Sequence, residues 1–272
     1  MSITLLNGDI WQEKDLLKKM DDDNFYYQQL GVDKVLSQSS LSDILDCPDD
    51  FYKSLAKIPK ELNENYRAGT LLHMLYLEPE KFYKLNFIEA DRTNAKAYKE
   101  AVEKYGEDNV YKVKEQMYTE SLVDVLNNKE RLMQIRKNCE VEVPAVKVLS
   151  GIPIRGKADI LTDNVIYDVK TTRVNPDKFN WWKVTDYNYD LQAYLYCQLF
   201  EKDYFAFITI NKGNKSVGIR HCSQEVIDSG KAKFLQAINK YKTKFMGKSL
   251  DEIKDELTKD IHEGIIRKPG VK

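Results

Sequence analysis

Very little in this chain of 272 residues points to a soft-metal centre. Its four cysteines (Cys47, Cys139, Cys197 and Cys222) stand far apart and form no C-x-x-C pair, so a zinc or iron–sulfur site lacks its usual ligands. Three histidines are too few for a multi-histidine centre. No charge of one sign dominates, because 42 Lys and Arg face 43 Asp and Glu, a net charge of −1. Any nucleic-acid binding must therefore use a local basic patch rather than a global field. No apolar run reaches membrane-spanning length and no signal-peptide pattern opens the chain, so the expected setting is the cytoplasm, with reduced thiols and no membrane partner. Repeats and low-complexity linkers are lacking too, which favours one domain. Gly247-Lys248-Ser249 imitates the end of a phosphate-binding loop without the glycine five residues earlier, and Asn214-Lys215-Ser216 matches a glycosylation sequon in a chain with no secretory signal.

What is present reads as an α/β protein. Residues 1–35 are mixed, include the acidic run Asp21-Asp22-Asp23, and are expected to pack loosely as an accessory segment. Ser40-Leu41-Ser42 can cap a short helix running to Cys47, with Pro48 opening the next turn. The apolar stretch 69–77 predicts a buried helix, and 93–138 predicts helices broken near Gly106. The pattern then becomes β-branched over 143–149, 152–161 and 165–171, separated by Ser150-Gly151 and Thr162-Asp163-Asn164. A helix over 187–200, strands over 204–210 and 217–222, and amphipathic helices over 224–246 and 250–262 complete the order. The fold class is a mixed central sheet flanked by helices. The expected main domain is 36–272, with its core over about 66–222 and C-terminal helices over 224–262.

One predicted hairpin carries chemistry. A turn centred on Asp163-Asn164 sets Asp159 directly opposite Asp168, with Cβ atoms about 4.5–5.5 Å apart, and Lys170 shares the face of Asp168. Like charges in that position repel, and a divalent cation offsets the repulsion, since carboxylates are the ligands Mg²⁺ prefers. A nearby ammonium can then orient water or stabilise charge on phosphoryl oxygens. The alternative is an exposed hairpin whose acids and lysine are simply solvated. Other candidates also read two ways. His73 lies on an apolar helix, where a lone histidine is commonly a hydrogen-bonded core residue. Gln192 and Tyr196 share a helix face, as ordinary helix residues also do. Trp181-Trp182, between Lys178 and Lys183, can stack on bases or wedge a duplex end, or equally pack in a core or an oligomer contact.

Together, Gly69-Thr-Leu-Leu-His73, Gly156-Lys-Ala-Asp159, Asp168-Val-Lys170-Thr-Thr and Gln192-x-x-x-Tyr196 resemble the PD-(D/E)xK nuclease superfamily. Within it they are most similar to the RecE-type exonucleases (exodeoxyribonuclease VIII) of phage and prophage recombination, over about residues 36–200. The resemblance implies a restriction-endonuclease-like α-β-β-β-α-β core. It implies metal ligation by His73, Asp159, Asp168 and the Val169 carbonyl, with Lys170 acting on the attacking water or scissile phosphate. Gln192 and Tyr196 would support the site and contact DNA, and a further glutamate, Glu142 in preference to Glu140, would join the ligands. The implied metal is Mg²⁺, with Mn²⁺ able to substitute. A DNA groove would draw on Arg67, Arg155, Lys157, Arg173, Lys178, Trp181, Trp182 and Lys183. The implied activity is processive 5′-to-3′ digestion of linear duplex from its ends, in a bacterial host cell, by a trimeric or tetrameric ring working with a single-strand annealing protein. Ile-Tyr-Asp168 lacks the superfamily's proline beside the metal aspartate, and the cysteine set of its iron–sulfur branch is missing. Other nucleases on the same core, or a non-catalytic DNA-binding accessory protein, are the rival readings.

Overall fold

The central strand, Ile152–Leu161, is buried from Ile152 to Ile160 although it carries Arg155, Lys157 and Asp159. Charged groups on such a strand need partners, and the fold is arranged around supplying them. The computed structural model describes residues 2–59 and 64–259. In chain order they form β1 (Ser2–Thr4), β2 (Ile10–Gln12), α1 (Glu13–Met20), a π-helical turn at Phe25–Gln29, β3 (Leu36–Ser37), α2 (Gln38–Asp46) and α3 (Pro48–Leu55). There follow α4 (Glu64–Leu77), α5 (Pro79–Phe82), β4 (Asn86–Ile88), α6 (Lys96–Tyr105), β5 (Val110–Lys112), α7 (Val113–Asn127) and α8 (Glu130–Lys137). The remainder is β6 (Glu140–Leu149), β7 (Ile152–Leu161), β8 (Val165–Thr172), α9 (Trp181–Asp186), α10 (Tyr189–Phe200), β9 (Tyr204–Asn211), β10 (Val217–His221), α11 (Gln224–Lys244) and α12 (Leu250–Lys259).

The main sheet runs β10-β9-β8-β7-β3, with β6 also on β7. The pairs β8–β9 and β3–β7 are parallel, and the rest are antiparallel. The α4, α7 and α8 helices cover one face over Ile160, Tyr167, Val169, Ala206 and Ile208. On the other face α10 covers Ala158, Ile166, Phe205 and Phe207, backed by α2, α3 and α11. The predicted mixed sheet between helices is therefore borne out. Local signals account for its joints. Ser37 accepts from Ser40 N to cap α2, and Pro48 opens α3. Ser150 and Gly151 both have positive φ (51° and 81°), the signature of a type I′ hairpin joining β6 to β7.

Some expectations change, and part of one lies outside the described residues. The helix predicted over 187–200 is α10, which starts at Tyr189 because Asn188 is left-handed (φ 54°), and it is preceded by α9, which the sequence pattern does not suggest. The last helix is described to Lys259, and its predicted end over 260–262 lies outside the described residues. The N-terminal segment is not loosely packed. Leu16 and Met20 are fully buried, and with Ile3, Leu5, Tyr26 and Leu30 they cluster on Val146 of β6. Among the described residues no helix is long and apolar enough to cross a membrane.

Candidate metal centre

The β7–β8 hairpin has the expected register, with Ile160 opposite Tyr167 and Leu161 opposite Ile166. The ladder stops there, so Asp159 and Asp168, expected as direct cross-strand partners, are not paired within it. Toward its N-terminus β7 pairs instead with β3, through Ile154 and Arg155, so the same edge of β7 lies open over residues 156–159. Side chains meet the backbone groups left by that gap. The Val169 amide donates to Asp159 Oδ2 (2.7 Å), and the Tyr196 hydroxyl donates to the Lys157 carbonyl (3.1 Å). Gly156 lets α10 approach, since a Cβ there would stand 2.7 Å from Leu199 Cδ1. On the opposite edge of β7 the pairing with β6 is continuous except at Glu142, which faces Asp159 in a left-handed conformation (φ 50°). That conformation costs a non-glycine residue about 1 kcal/mol, and such strain collects at functional sites.

The kink and the gap bring acids and a histidine together. Ligand atoms of His73 (α4), Glu142 (β6) and Asp159 (β7) lie within 4.8 Å of one another. His73 Nε2 donates to the Val169 carbonyl at 2.7 Å, which fixes the proton on Nε2. A neutral His73 then turns the bare lone pair of Nδ1 toward Asp159 Oδ2, 3.4 Å away. Two acceptors facing each other need a proton or a cation between them. Beside this group, Asp168 Oδ1 accepts from Gln192 Nε2 (2.6 Å), and Asp168 Oδ2 lies 2.9 Å from Lys170 Nζ, off the line of a hydrogen bond. The Lys170 ammonium also sits 4.8 Å from the centre of the Tyr189 ring.

Electrostatics show the same shortage of positive charge. Burial, and then Asp168, raise the Asp159 carboxyl well above its usual range. Burial, and then Asp159, push Glu142 up to about 7. Burial lowers His73, which keeps the imidazole neutral and able to ligate. Burial would lower Lys170 as well, but Asp168, Tyr189 and Asp159 outweigh it and hold the ammonium above its ordinary value. Oxygen-rich, under-compensated carboxylates beside one neutral imidazole fit a hard divalent cation.

The sequence profile of a family described as a PDDEXK-like domain of unknown function matches residues 37–253. The chain belongs to that family. No curated protein matches it. The crystal structure of a candidate exonuclease from Eubacterium rectale superposes with a TM-score of 0.61 at 14% identity, over 92% of this chain and 98% of that one. At that identity the likeness shows a shared fold, the PDDEXK-like nuclease fold. A phage-related exonuclease from Haemophilus somnus, also 14% identical and covered over 87% of this chain and 100% of its own, has a TM-score of 0.31. A likeness so low carries no argument.

Around this PDDEXK-like centre the other residues singled out by sequence fall into two sets. Lys178, Arg173, Trp181 and Trp182 are exposed, Trp182 to 70%. Lys183 lies 5.1 Å from the centre of the Tyr187 ring, Tyr187 stacks on Tyr189, and Tyr189 underlies Lys170. A chain of rings thus leads from α9 to the centre. Arg67, Arg155 and Lys157 are not part of it. Arg67 bonds the carbonyls of Glu107 and Val110 and stacks on Tyr111. Arg155 donates to the Tyr26 carbonyl and covers its ring, while Lys157 pairs with Asp23. Both are buried, held by the N-terminal segment rather than open to a groove. Glu140 is exposed, and Glu142 is the glutamate that faces the centre. Asp23, Tyr26 and Tyr189 escaped the sequence reading. For Asp23 the only signal was its acidic run, and nothing in its spacing points to β7.

Proposed function

We propose that this PDDEXK-like chain is a metal-dependent deoxyribonuclease that hydrolyses phosphodiester bonds of linear double-stranded DNA. The carrying observation is the unshared lone-pair contact of His73 Nδ1 with Asp159 Oδ2, closed off by Glu142 and set beside Asp168 and Lys170. His73, Glu142 and Asp159 would hold the ion, with Asp168 and the Val169 carbonyl adjoining. A bound divalent cation, Mg²⁺ or Mn²⁺ in its place, would supply Lewis-acid polarisation of a phosphoryl oxygen and activation of water.

The chain's own groups have separable tasks. Gln192 holds one oxygen of Asp168, and the other faces Lys170. Without metal, Asp168, Tyr189 and Asp159 hold Lys170 as an ammonium, which suits it to orient the attacking water or stabilise negative charge on the phosphate. Tyr196 braces β7 where it lacks a strand partner. The exposed Trp181, Trp182 and Tyr187 near Lys183 suit stacking of unpaired bases at a duplex end. Water adds across the P–O bond, leaving a phosphate and a hydroxyl.

The RecE-type motifs support a narrower reading: processive 5′-to-3′ digestion from DNA ends, a ring of three or four subunits, and delivery of single strands to an annealing protein. Four free cysteines suit a reducing, cytoplasmic setting. Incubation of end-labelled linear duplex and of closed circular DNA with Mg²⁺ tests this reading. Loss of the 5′ label as mononucleotides, with circles intact, is expected. Cutting of circles would make the chain an endonuclease on the same core.

A further inference from the structure

Lys157 sits between two carboxylates. Its ammonium donates to Asp23 Oδ1 at 2.7 Å and lies 3.7 Å from Glu142 Oε2, with only 5% of the side chain exposed. Asp23 comes from the N-terminal segment and Glu142 from the metal centre. The segment is firmly seated on the strands that carry that centre. The Tyr26 carbonyl accepts from Arg155, its ring lies 4.3 Å from the guanidinium carbon, and Leu16, Met20 and Leu30 pack on Val146. A second cation, Lys81, pairs with the other oxygen of Asp23. Burial alone would raise the Asp23 carboxyl, but Lys157 and Lys81 outweigh it and hold Asp23 below its ordinary range, charged and able to retain both lysines.

A buried ammonium must keep a charged partner, and the nearer carboxylate takes it. We propose that Asp23 is a positioning residue of the metal centre: by holding Lys157, it keeps that ammonium from closing on Glu142 and leaves the Glu142 carboxylate available to a divalent cation. The N-terminal segment is on this view part of the centre. Without the Asp23 charge, the carboxylate left beside Lys157 is Glu142, and a glutamate committed to an ammonium is a poor ligand. The inference rests on the reading of His73, Glu142 and Asp159 as a metal site.

Calorimetric titration of the full chain with Mn²⁺, without DNA, tests it. Asp23→Asn should weaken binding about tenfold, the scale on which groups behind metal ligands act. Asp23→Asn combined with Lys157→Met should restore parental affinity, because the competing cation is gone. Lys157→Met alone, which keeps Asp23, should bind at least as tightly as the parent. Lys81→Met removes the other anchor of Asp23 and should leave affinity unchanged. A purely structural role for Asp23 would give no rescue in the double variant. Parental affinity in Asp23→Asn, persisting weakness in the double variant, or weaker binding in Lys157→Met would each overturn the inference while leaving the metal site standing. A parent chain that binds no Mn²⁺ would overturn both.

Discussion

Replacing Glu142 with Gln should stabilise the metal-free protein at pH 8 and make it respond less to metal. The Glu142 side chain is 15% exposed, faces Asp159, and has a carboxyl raised from 4.5 to about 7. A carboxyl whose folded pKa is raised contributes stability that is fully present below about pH 4.5 and lost as pH rises through about 7. Above pH 7 the charged, buried group is therefore a liability. With each pKa unit worth about 1.4 kcal/mol, the liability is at most on the order of 3 kcal/mol. Gln cannot ionise, so Glu142→Gln avoids it, and in a chain of this size the gain corresponds to a Tm higher by about 5 °C. The gap should close as pH falls toward 5, where the parent glutamate is protonated. Thermal unfolding in EDTA at pH 5, 6, 7 and 8 reads this directly, and the same series with Mg²⁺ should favour the parent, which keeps its ligand. A Tm difference independent of pH, or a less stable Glu142→Gln at every pH, would refute the electrostatic reasoning.

Other substitutions probe the supports of the centre. Gln192→Ala removes the donor to Asp168 Oδ1, and should cost roughly 1–3 kcal/mol in denaturant unfolding and cut nuclease rates at least tenfold. Gly156→Ala puts a methyl group 2.7 Å from Leu199 Cδ1 and 3.3 Å from Tyr196, so the buried Leu199 must change rotamer or α10 shift; a loss of about 1–3 kcal/mol is expected in urea titration. Trp182→Ala, at a site 70% exposed, should leave Tm unchanged and weaken binding of single-strand-tailed DNA by about 1–3 kcal/mol, read by fluorescence anisotropy.

How far the centre could be read from sequence depended on the range of the contacts involved. The β7–β8 register was legible because alternating apolar residues and the Asp163-Asn164 turn act within a dozen residues, and the structure pairs Ile160 with Tyr167 accordingly. The β-branched runs and the buried α4 were legible for the same reason. The left-handed Glu142 was not, since it depends on three strands and on where β3 joins β7. Composition marks Arg67, Arg155 and Lys157 as cations without saying which way they face. Their partners, at Val110, Tyr26 and Asp23, lie 43, 129 and 134 residues away, and the contacts formed only with tertiary packing. The N-terminal segment was misread for the same reason, because its apolar residues find their match on β6.

Lys170 is the residue whose chemistry no structural role can replace, so its removal tests the central claim most directly. Purified parent and Lys170→Ala chains should be given end-labelled linear duplex with Mg²⁺, and the parent also with EDTA, with DNA binding followed in parallel. The expected result is digestion by the parent in Mg²⁺ alone, and retained binding but no digestion by Lys170→Ala. Digestion in EDTA, or by Lys170→Ala at the parental rate, would contradict a metal-dependent nuclease centred on Asp159, Asp168 and Lys170.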